Sequence, residues 1–481
     1  MKKRPFLTLG LLALSIGISQ AQSDSQKVIS SLQDKTDYYG AISKKIWDYA
    51  EVGYQETKSS ALLQTELKKA AFSIESGVAG IPTAFIATYG SGKPVISILA
   101  EYDALPGLAQ AATPERKVIE GQRAGHACGH HLFGTGSSAA AIAVKDWLKQ
   151  SGKTGTIKLI GTPAEEGGSG KVYMVRDGIF KDTDVALHWH PGDANAANPS
   201  SSLANISGKF RFKGISAHAA AAPERGRSAL DGVEAMNDMV NMMREHIPQD
   251  TRIHYIITKG GEAPNVVPDF AEVYYYARHK DRSILQNVWK RITKAAEGAA
   301  LGTETTMELE VIGGVYNLLS VESLASLMYK NLEQVGGFSY TDEEKKFAEK
   351  LTESFGASFG SLPKPGSAQQ IAPYSAASLL GSASTDVGDV SWVVPTVGMT
   401  AATWVPGTAP HSWQAVAAGG TSIGIKGMMV AAKTLALTAI DLYNDPDLMK
   451  KAKKEWEELR GKNFKYEALL GDRKPALDYR K

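Results

Sequence analysis

Three apolar, β-rich runs that close on acids or histidines constrain this chain more than any other feature in it. Residues 94–100 run into Glu101-Tyr102-Asp103, residues 156–161 run towards Pro163-Ala164-Glu165-Glu166-Gly167, and residues 184–190 carry His188 and His190 up to Pro191. Between the first two, residues 134–150 are rich in small side chains and have helical spacing. Strands alternating with helices predict an α/β domain around a mainly parallel sheet. Ligands of such sheets sit beyond the carboxyl ends of the strands, and all three polar clusters fall there.

The element order changes further along. Residues 208–215 read as a strand, 228–246 as a helix, 252–258 and 272–278 as strands, 283–300 as a helix and 305–312 as a strand. This βαββαβ order is that of a ferredoxin-like split unit. It predicts a separate domain over residues 205–317, inserted into a first domain made of residues 22–204 and 318–481. Within that first domain, apolar spacing predicts surface helices at 27–50 and 57–71, and helices at 321–334 and 415–442. A strand is expected at 395–403, a long Ser/Gly/Ala/Pro-rich loop at 354–384, and a solvated helix and loose end at 450–481.

The chain begins with Lys2, Lys3 and Arg4, an apolar run over residues 6–18, and Ser19-Gln20-Ala21. This is the order of a secretory signal peptide, here over residues 1–21 with a cut near Ala21. A bilayer span needs about 20 apolar residues, so the run predicts a removed leader and a periplasmic or secreted protein. No other long apolar run stands out. Losing those three cations takes the formal charge from +2 to −1, a balance that recruits neither nucleic acid nor, after cleavage, a membrane.

An exported chain with one cysteine, Cys128, has no internal disulfide. The thiol is then a small buried hydrophobe, a nucleophile or a metal ligand. His126, His130 and His131 crowd around it, and His188 and His190 follow, five of the ten histidines in two short segments. Thiolate, imidazole and carboxylate donors together suit a divalent ion. In an extended loop alternate residues face the same way, so Cys128 and His130 reach one ion, and His188 and His190 share that geometry. Spacing does not choose between the last two. Glu165 and Glu166, if extended, face opposite ways, which leaves one carboxylate to bind metal and one to move a proton. Making Cys128 a nucleophile with His130 as base is the weaker reading, because such pairs usually converge from distant segments.

The motifs His-Ala-Cys-Gly-His at 126–130 and Pro-Ala-Glu-Glu at 163–166 are followed in order by Gly-Ile-Ser-Ala-His-Ala at 214–219 and Pro-Asn-Val-Val at 264–267. Two further runs, Ser384 to Trp392 and Thr408 to Trp413, complete the series. Together they resemble the dinuclear metallopeptidases typified by aminoacylase and carboxypeptidase G, in the amidohydrolase branch whose bridging ligand is a cysteine. The resemblance spans nearly the whole mature chain. It implies a zinc-peptidase-like catalytic domain and an inserted lid and dimerisation domain. It also implies two divalent ions, manganese or zinc, held by Cys128, His130, Glu166, His190 and His411, with Glu165 as general base. His190, not His188, takes the family's ligand position. Asp103 matches the carboxylate beneath the metals, and Glu101 stands where other branches carry a ligand histidine. His218 matches a histidine delivered to the partner's site to stabilise an oxyanion. Asn265 and Arg278 match residues that bind the substrate carboxylate. His126, His131 and His188 receive no role.

These expectations converge on hydrolysis of a linear amide. The substrates implied are N-acyl or aryl-amide derivatives of amino acids, aminobenzoyl-glutamate among them, with exported dipeptidase or aminoacylase chemistry as the alternative. A non-catalytic periplasmic metal-binding or interaction protein is the alternative from another class. The expected partner is a second copy, giving a homodimer, or a related second subunit, giving a heterodimer.

Overall fold

The computed structural model describes residues 23–356, 367–381 and 383–480. The leader expected over residues 1–21 lies outside them, as do residues 357–366 and 382 of the expected long loop. The first domain is built on a six-stranded sheet in the spatial order Ser73–Ser76, Phe85–Ser91, Gly155–Gly161, Val95–Ala100, Val185–Gly192, Thr396–Ala402. The last four strands pair in parallel and the first two add an antiparallel edge. Every residue of Val95–Ala100 is buried, as expected of a parallel strand covered on both faces.

Helices His130–Ser151 and Ser422–Asn444 pack against each other over this sheet. Small residues make the approach possible: a Cβ on Gly136 would meet Met428 at 3.0 Å and Trp189 at 3.1 Å. The Ser422–Asn444 helix is long and apolar enough to cross a membrane, but 89% of its most apolar window is buried in the core. A helix apolar all round is what the centre of a large domain calls for.

Three expectations change in detail. The helix expected at 27–50 is two, Asp24–Gln33 and Thr36–Tyr49, and the second buries Tyr39, Ile42, Ile46 and Trp47 rather than lying on the surface. The helix expected at 415–442 divides into Trp413–Gly419 and Ser422–Asn444, because the Thr421 hydroxyl accepts from the Ile423 N–H and starts a new helix. The tail is not loose. After helix Pro446–Arg460 it folds back across both domains, held by its own side chains and by those it passes.

The second sheet has the spatial order Arg252–Lys259, Phe270–His279, Ala204–Lys213, Thr306–Val315, with every pair antiparallel. Helices Ala229–Met243 and Arg282–Gly302 pack on it around a separate core that includes Phe210, Phe212, Val233, Tyr275 and Trp289. Arg252–Lys259 is an edge strand with Ile256 62% and Ile257 44% exposed.

Candidate metal centre

Cys128 precedes helix His130–Ser151 in a tight loop, not an extended one. Gly129 turns at φ +75°, and a Cβ there would come within 2.6 Å of Pro191. Only glycine combines that backbone with that approach. The turn lays the loop against His190-Pro191 and still leaves Cys128 and His130 facing a common point. The Cys128 sulfur lies 3.5 Å from His190 Nε2, while His190 Nδ1 is fixed by the Pro191 carbonyl at 2.7 Å. His411 joins through its backbone N–H, which donates to the Ala127 carbonyl at 3.0 Å. It has φ +57°, a costly conformation for a non-glycine residue.

Two donor sets result. Cys128, His130 and His190 bring one donor atom each within 4.8 Å of one another, and so do Cys128, Glu166 and His411. The thiol is common to both. His130 Nε2 and Glu101 Oε2 are buried 3.1 Å apart without a hydrogen bond. Buried polar atoms rarely stay so unless something binds them. Mixed sulfur, nitrogen and oxygen donors around a shared thiolate fit a pair of divalent ions. The first set is enclosed, whereas the His411 side chain is 54% exposed, so the second faces solvent.

Behind the donors a polar layer fixes their orientation. Asp103 Oδ1 holds His130 Nδ1 at 2.8 Å, and Asp103 Oδ2 accepts the Glu166 N–H at 2.9 Å. One carboxylate thereby aligns both donor sets, the task that outer carboxylates perform around ligating histidines. Burial works against its ionised form, but His130 and then the Glu166 N–H hold the Asp103 carboxyl below its usual range. Glu166 behaves alike: burial pushes it up, while His411, 3.2 Å away, and His130 bring it below the ordinary value.

Glu165 is the exception. It is half-buried and belongs to neither set that contains Cys128, though it lies with Glu101 and His130 in a third grouping. Burial, then Glu101, Glu166 and Asp386, raises its carboxyl well above the usual range. It and Glu166 are not in an extended segment. Ala164 at φ +57° and Ser169 at φ +56° bound a kinked turn in which Glu166 and Gly167 leave helical geometry. The kink, not strand alternation, sends the neighbouring carboxylates different ways.

Sequence reasoning missed Lys171 and Asp386. Lys171 is fully buried, with Nζ 2.6 Å from Glu101 Oε1 and 2.7 Å from Asp386 Oδ1. Its backbone N–H also donates to Asp386 Oδ2 at 2.9 Å. A buried lysine costs several kcal/mol unless paired, so the two acids raise its affinity for the proton against burial. The signal available was the run Ser384–Trp392, whose acids had no partner assigned.

The unassigned histidines are structural. His126 Nε2 meets the Ile46 carbonyl and His131 Nε2 the Gly419 carbonyl, each at 3.0 Å. Burial and then His130 lower His126 to about 3, while burial and then His126 take His131 well below the usual range. Both are neutral donors to backbone. His188 lies against Gly398, where a Cβ would sit 2.2 Å from its ring.

His218 and Asn265 are brought together on the inserted domain. His218 bridges Val266, and the Ala219 N–H donates to the Asn265 carbonyl at 3.0 Å. Both are exposed. Arg278 is half-buried on strand Phe270–His279, opposite Asn205 and Arg252, with a buried Nε lacking a hydrogen bond. Among the described residues no hydrogen bond or ion pair joins these three to the Cys128 cluster.

A profile described as a peptidase dimerisation domain matches residues 204–304. A p-aminobenzoyl-glutamate hydrolase chain of Escherichia coli strain K12, one of the two kinds that make up that enzyme, is 42% identical over 444 residues, covering 88% of this chain and 92% of that one. The Xaa-Arg dipeptidase of Mus musculus is 29% identical over 447 residues, covering 90% and 92%. An aminobenzoyl-glutamate utilization protein from Klebsiella pneumoniae has the same fold, with a TM-score of 0.60 at 18% identity over 86% of this chain and 98% of that one. So does a dinuclear metal-binding M20 peptidase from Bacillus subtilis, with a TM-score of 0.57 at 14% identity over 86% and 99%. With these likenesses spanning both domains, the chain belongs to the M20 peptidase family and is a metal-dependent hydrolase of amide or peptide bonds.

Proposed function

We propose that this enzyme cleaves the amide bond of N-acyl or aminobenzoyl amino acids such as aminobenzoyl-glutamate, with Glu165 as general base. The observation that carries the reading is the pair of donor sets sharing Cys128, with Glu165 beside them and outside both. The 42% identity to the Escherichia coli hydrolase chain supports the substrate class.

Cys128 bridges, His130 and His190 complete one site, and Glu166 and His411 complete the other. Two divalent ions, manganese or zinc, supply Lewis acidity towards water and the scissile carbonyl. Glu165 accepts the proton of the attacking water at its carboxylate and returns it to the amine nitrogen as the C–N bond breaks. Asp103 keeps His130 and Glu166 in register. Arg278 and Asn265 bind the free carboxylate of the substrate, for which a guanidinium fork is suited. Hydrolysis assays with manganese and with zinc across aminobenzoyl-glutamate, other N-acyl amino acids and dipeptides test the substrate class. A dipeptide turned over faster than every acyl amino acid would move the reading to a dipeptidase, and no turnover of any would defeat it.

A dimer follows from the exposed apolar surface on the inserted domain. Ile256 and Ile257 on the edge strand lie beside Met239 and Met242 of helix Ala229–Met243, whose Asn241 reaches Tyr255. An unpaired apolar edge is a surface that pairs. His218 Nδ1 accepts the Ala220 and Ala221 N–H groups at 3.2 and 3.1 Å, which leaves Nε2 to donate outward to an oxyanion in the partner's site. If the enzyme is a homodimer, mixing inactive His218→Ala with inactive Glu165→Gln is expected to recover about a quarter of wild-type sites, since half the dimers are mixed and each holds one intact site. No recovery on mixing, with exchange demonstrated, would place His218 in its own subunit's site or require a different partner. The charged, apolar, small-residue order of residues 1–21 supports export, tested by whether the protein from its native host begins near Gln22.

A further inference from the structure

The turn that carries Glu165 and Glu166 is irregular, and four sets of side chains hold its backbone. Glu56 Oε1 accepts the Ala164 N–H at 2.8 Å, Asp103 accepts the Glu166 N–H, and the Tyr54 hydroxyl donates to the Gly168 carbonyl at 2.7 Å. The fourth set comes from the last residues of the chain. The Tyr479 hydroxyl and Arg480 Nη2 both donate to the Glu166 carbonyl, each at 2.9 Å. Both lone pairs of that oxygen are thus taken by side chains 313 and 314 positions away.

The contact is built into its surroundings. A Cβ at Gly53 would lie 2.2 Å from the Tyr479 hydroxyl, so a glycine there leaves the space the phenol occupies. The approach is also secured upstream. Tyr466 donates to Asp389 at 2.7 Å, the Tyr316 hydroxyl to the Glu467 carbonyl at 2.7 Å, and Arg176 to the Arg473 carbonyl at 2.7 Å. Arg473 reaches the Ile312 carbonyl of the inserted sheet at 2.9 Å, and Gln55 takes the Leu477 carbonyl at 2.8 Å. A tail held at so many points behaves as a strap and not as a random end.

We propose that Tyr479 and Arg480 are positioning residues for the reaction, acting through Glu166. This rests on the reading of Glu166 as a metal ligand and Glu165 as base. With Asp103 on the N–H and the strap on the carbonyl, the Glu166 backbone is clamped on both sides. Its carboxylate is then aimed at His411, and Glu165 is held at a fixed offset. Releasing the carbonyl lets the peptide plane rotate, which moves both carboxylates together, and catalysis is sensitive to displacements of about 1 Å.

The test uses the full chain with manganese as probe, measuring its affinity by competition with a chelator, and kcat and KM for aminobenzoyl-glutamate at saturating manganese. For Tyr479→Phe/Arg480→Ala, manganese affinity and kcat are each expected to fall about tenfold with KM within about twofold, an effect the size of two modest hydrogen bonds. Arg480→Lys, which keeps a donor, is expected to restore most of the loss relative to Arg480→Ala. A purely structural tail would lower the melting temperature and leave the affinity and kcat of the folded protein unchanged. Both quantities within about twofold of wild type in the double variant, with faster proteolysis showing the tail released, would overturn the proposal. If the double variant does not fold, the two single variants are read in the same way. A Glu166→Gln variant that keeps full manganese affinity would instead defeat the ligand reading, whatever the tail variants do.

Discussion

Replacing Glu165 with glutamine is expected to remove nearly all turnover while leaving both ions bound. Glutamine keeps the shape and one carbonyl oxygen but cannot accept the proton from water at neutral pH, and positioned general bases contribute about 10²–10⁴-fold. Metal retention is expected because Cys128, His130, Glu166, His190 and His411 form both thiol-containing donor sets without Glu165. The metal-free variant is also expected to be no less stable than wild type, since the substitution removes a negative charge repelled by Glu101, Glu166 and Asp386. Elemental analysis gives the metal content and steady-state kinetics the rate. A variant that keeps its ions and turns over within about tenfold of wild type would remove Glu165 from the role.

Stripping the ions with a chelator is expected to bring turnover to background, and adding manganese or zinc back to restore it. Lewis-acid stabilisation supplies several kcal/mol to such reactions, which corresponds to a loss of about 10³-fold or more. The same experiment separates the two roles available to Cys128. Burial pushes its thiol well up, only partly offset by His130, so the metal-free thiol is protonated and a poor nucleophile. Alkylating reagents should accordingly react slowly with the loaded enzyme, and full activity should survive brief treatment. Chelator-resistant activity that is lost on alkylation would reverse the assignment and make Cys128 the nucleophile.

Much of this was legible locally. The strands ending at Glu101, Glu165 and His190, and the βαββαβ order of the insert, follow from residue periodicity, which a fold of this class has to respect. The donor types followed from the crowding of histidines around one cysteine. The geometry by which neighbours divide their tasks did not follow. Alternation in an extended chain was the expectation for Glu165 and Glu166 and for Cys128 and His130, yet turns at Ala164 and Gly129 in the left-handed region do the work. Single-residue turns of this kind have a weak sequence signature when the residue is alanine.

The roles of His126 and His131 were hidden for a related reason. Their partners are the Ile46 and Gly419 carbonyls, 80 and 288 residues away in sequence, and any backbone carbonyl looks like any other until the chain is folded. Lys171 and Asp386 are 215 residues apart, and the Arg480 clamp spans 314. The tail alternates charges and read as solvated, because nothing local distinguishes an arginine that reaches a buried carbonyl from one that reaches water.

By itself the sequence determined the chemistry available to this protein: one thiol, a set of imidazoles and paired carboxylates, placed at strand ends by local periodicity. Tertiary structure alone decided which of them converge, which of two adjacent glutamates binds and which stays free, and which distant charges lock the turn between them. The reason is physical. Donor identity and strand or helix period are properties of a few consecutive residues, whereas convergence depends on left-handed turns, close packing at glycines and hydrogen bonds closed over hundreds of residues, and these exist only once the core has formed.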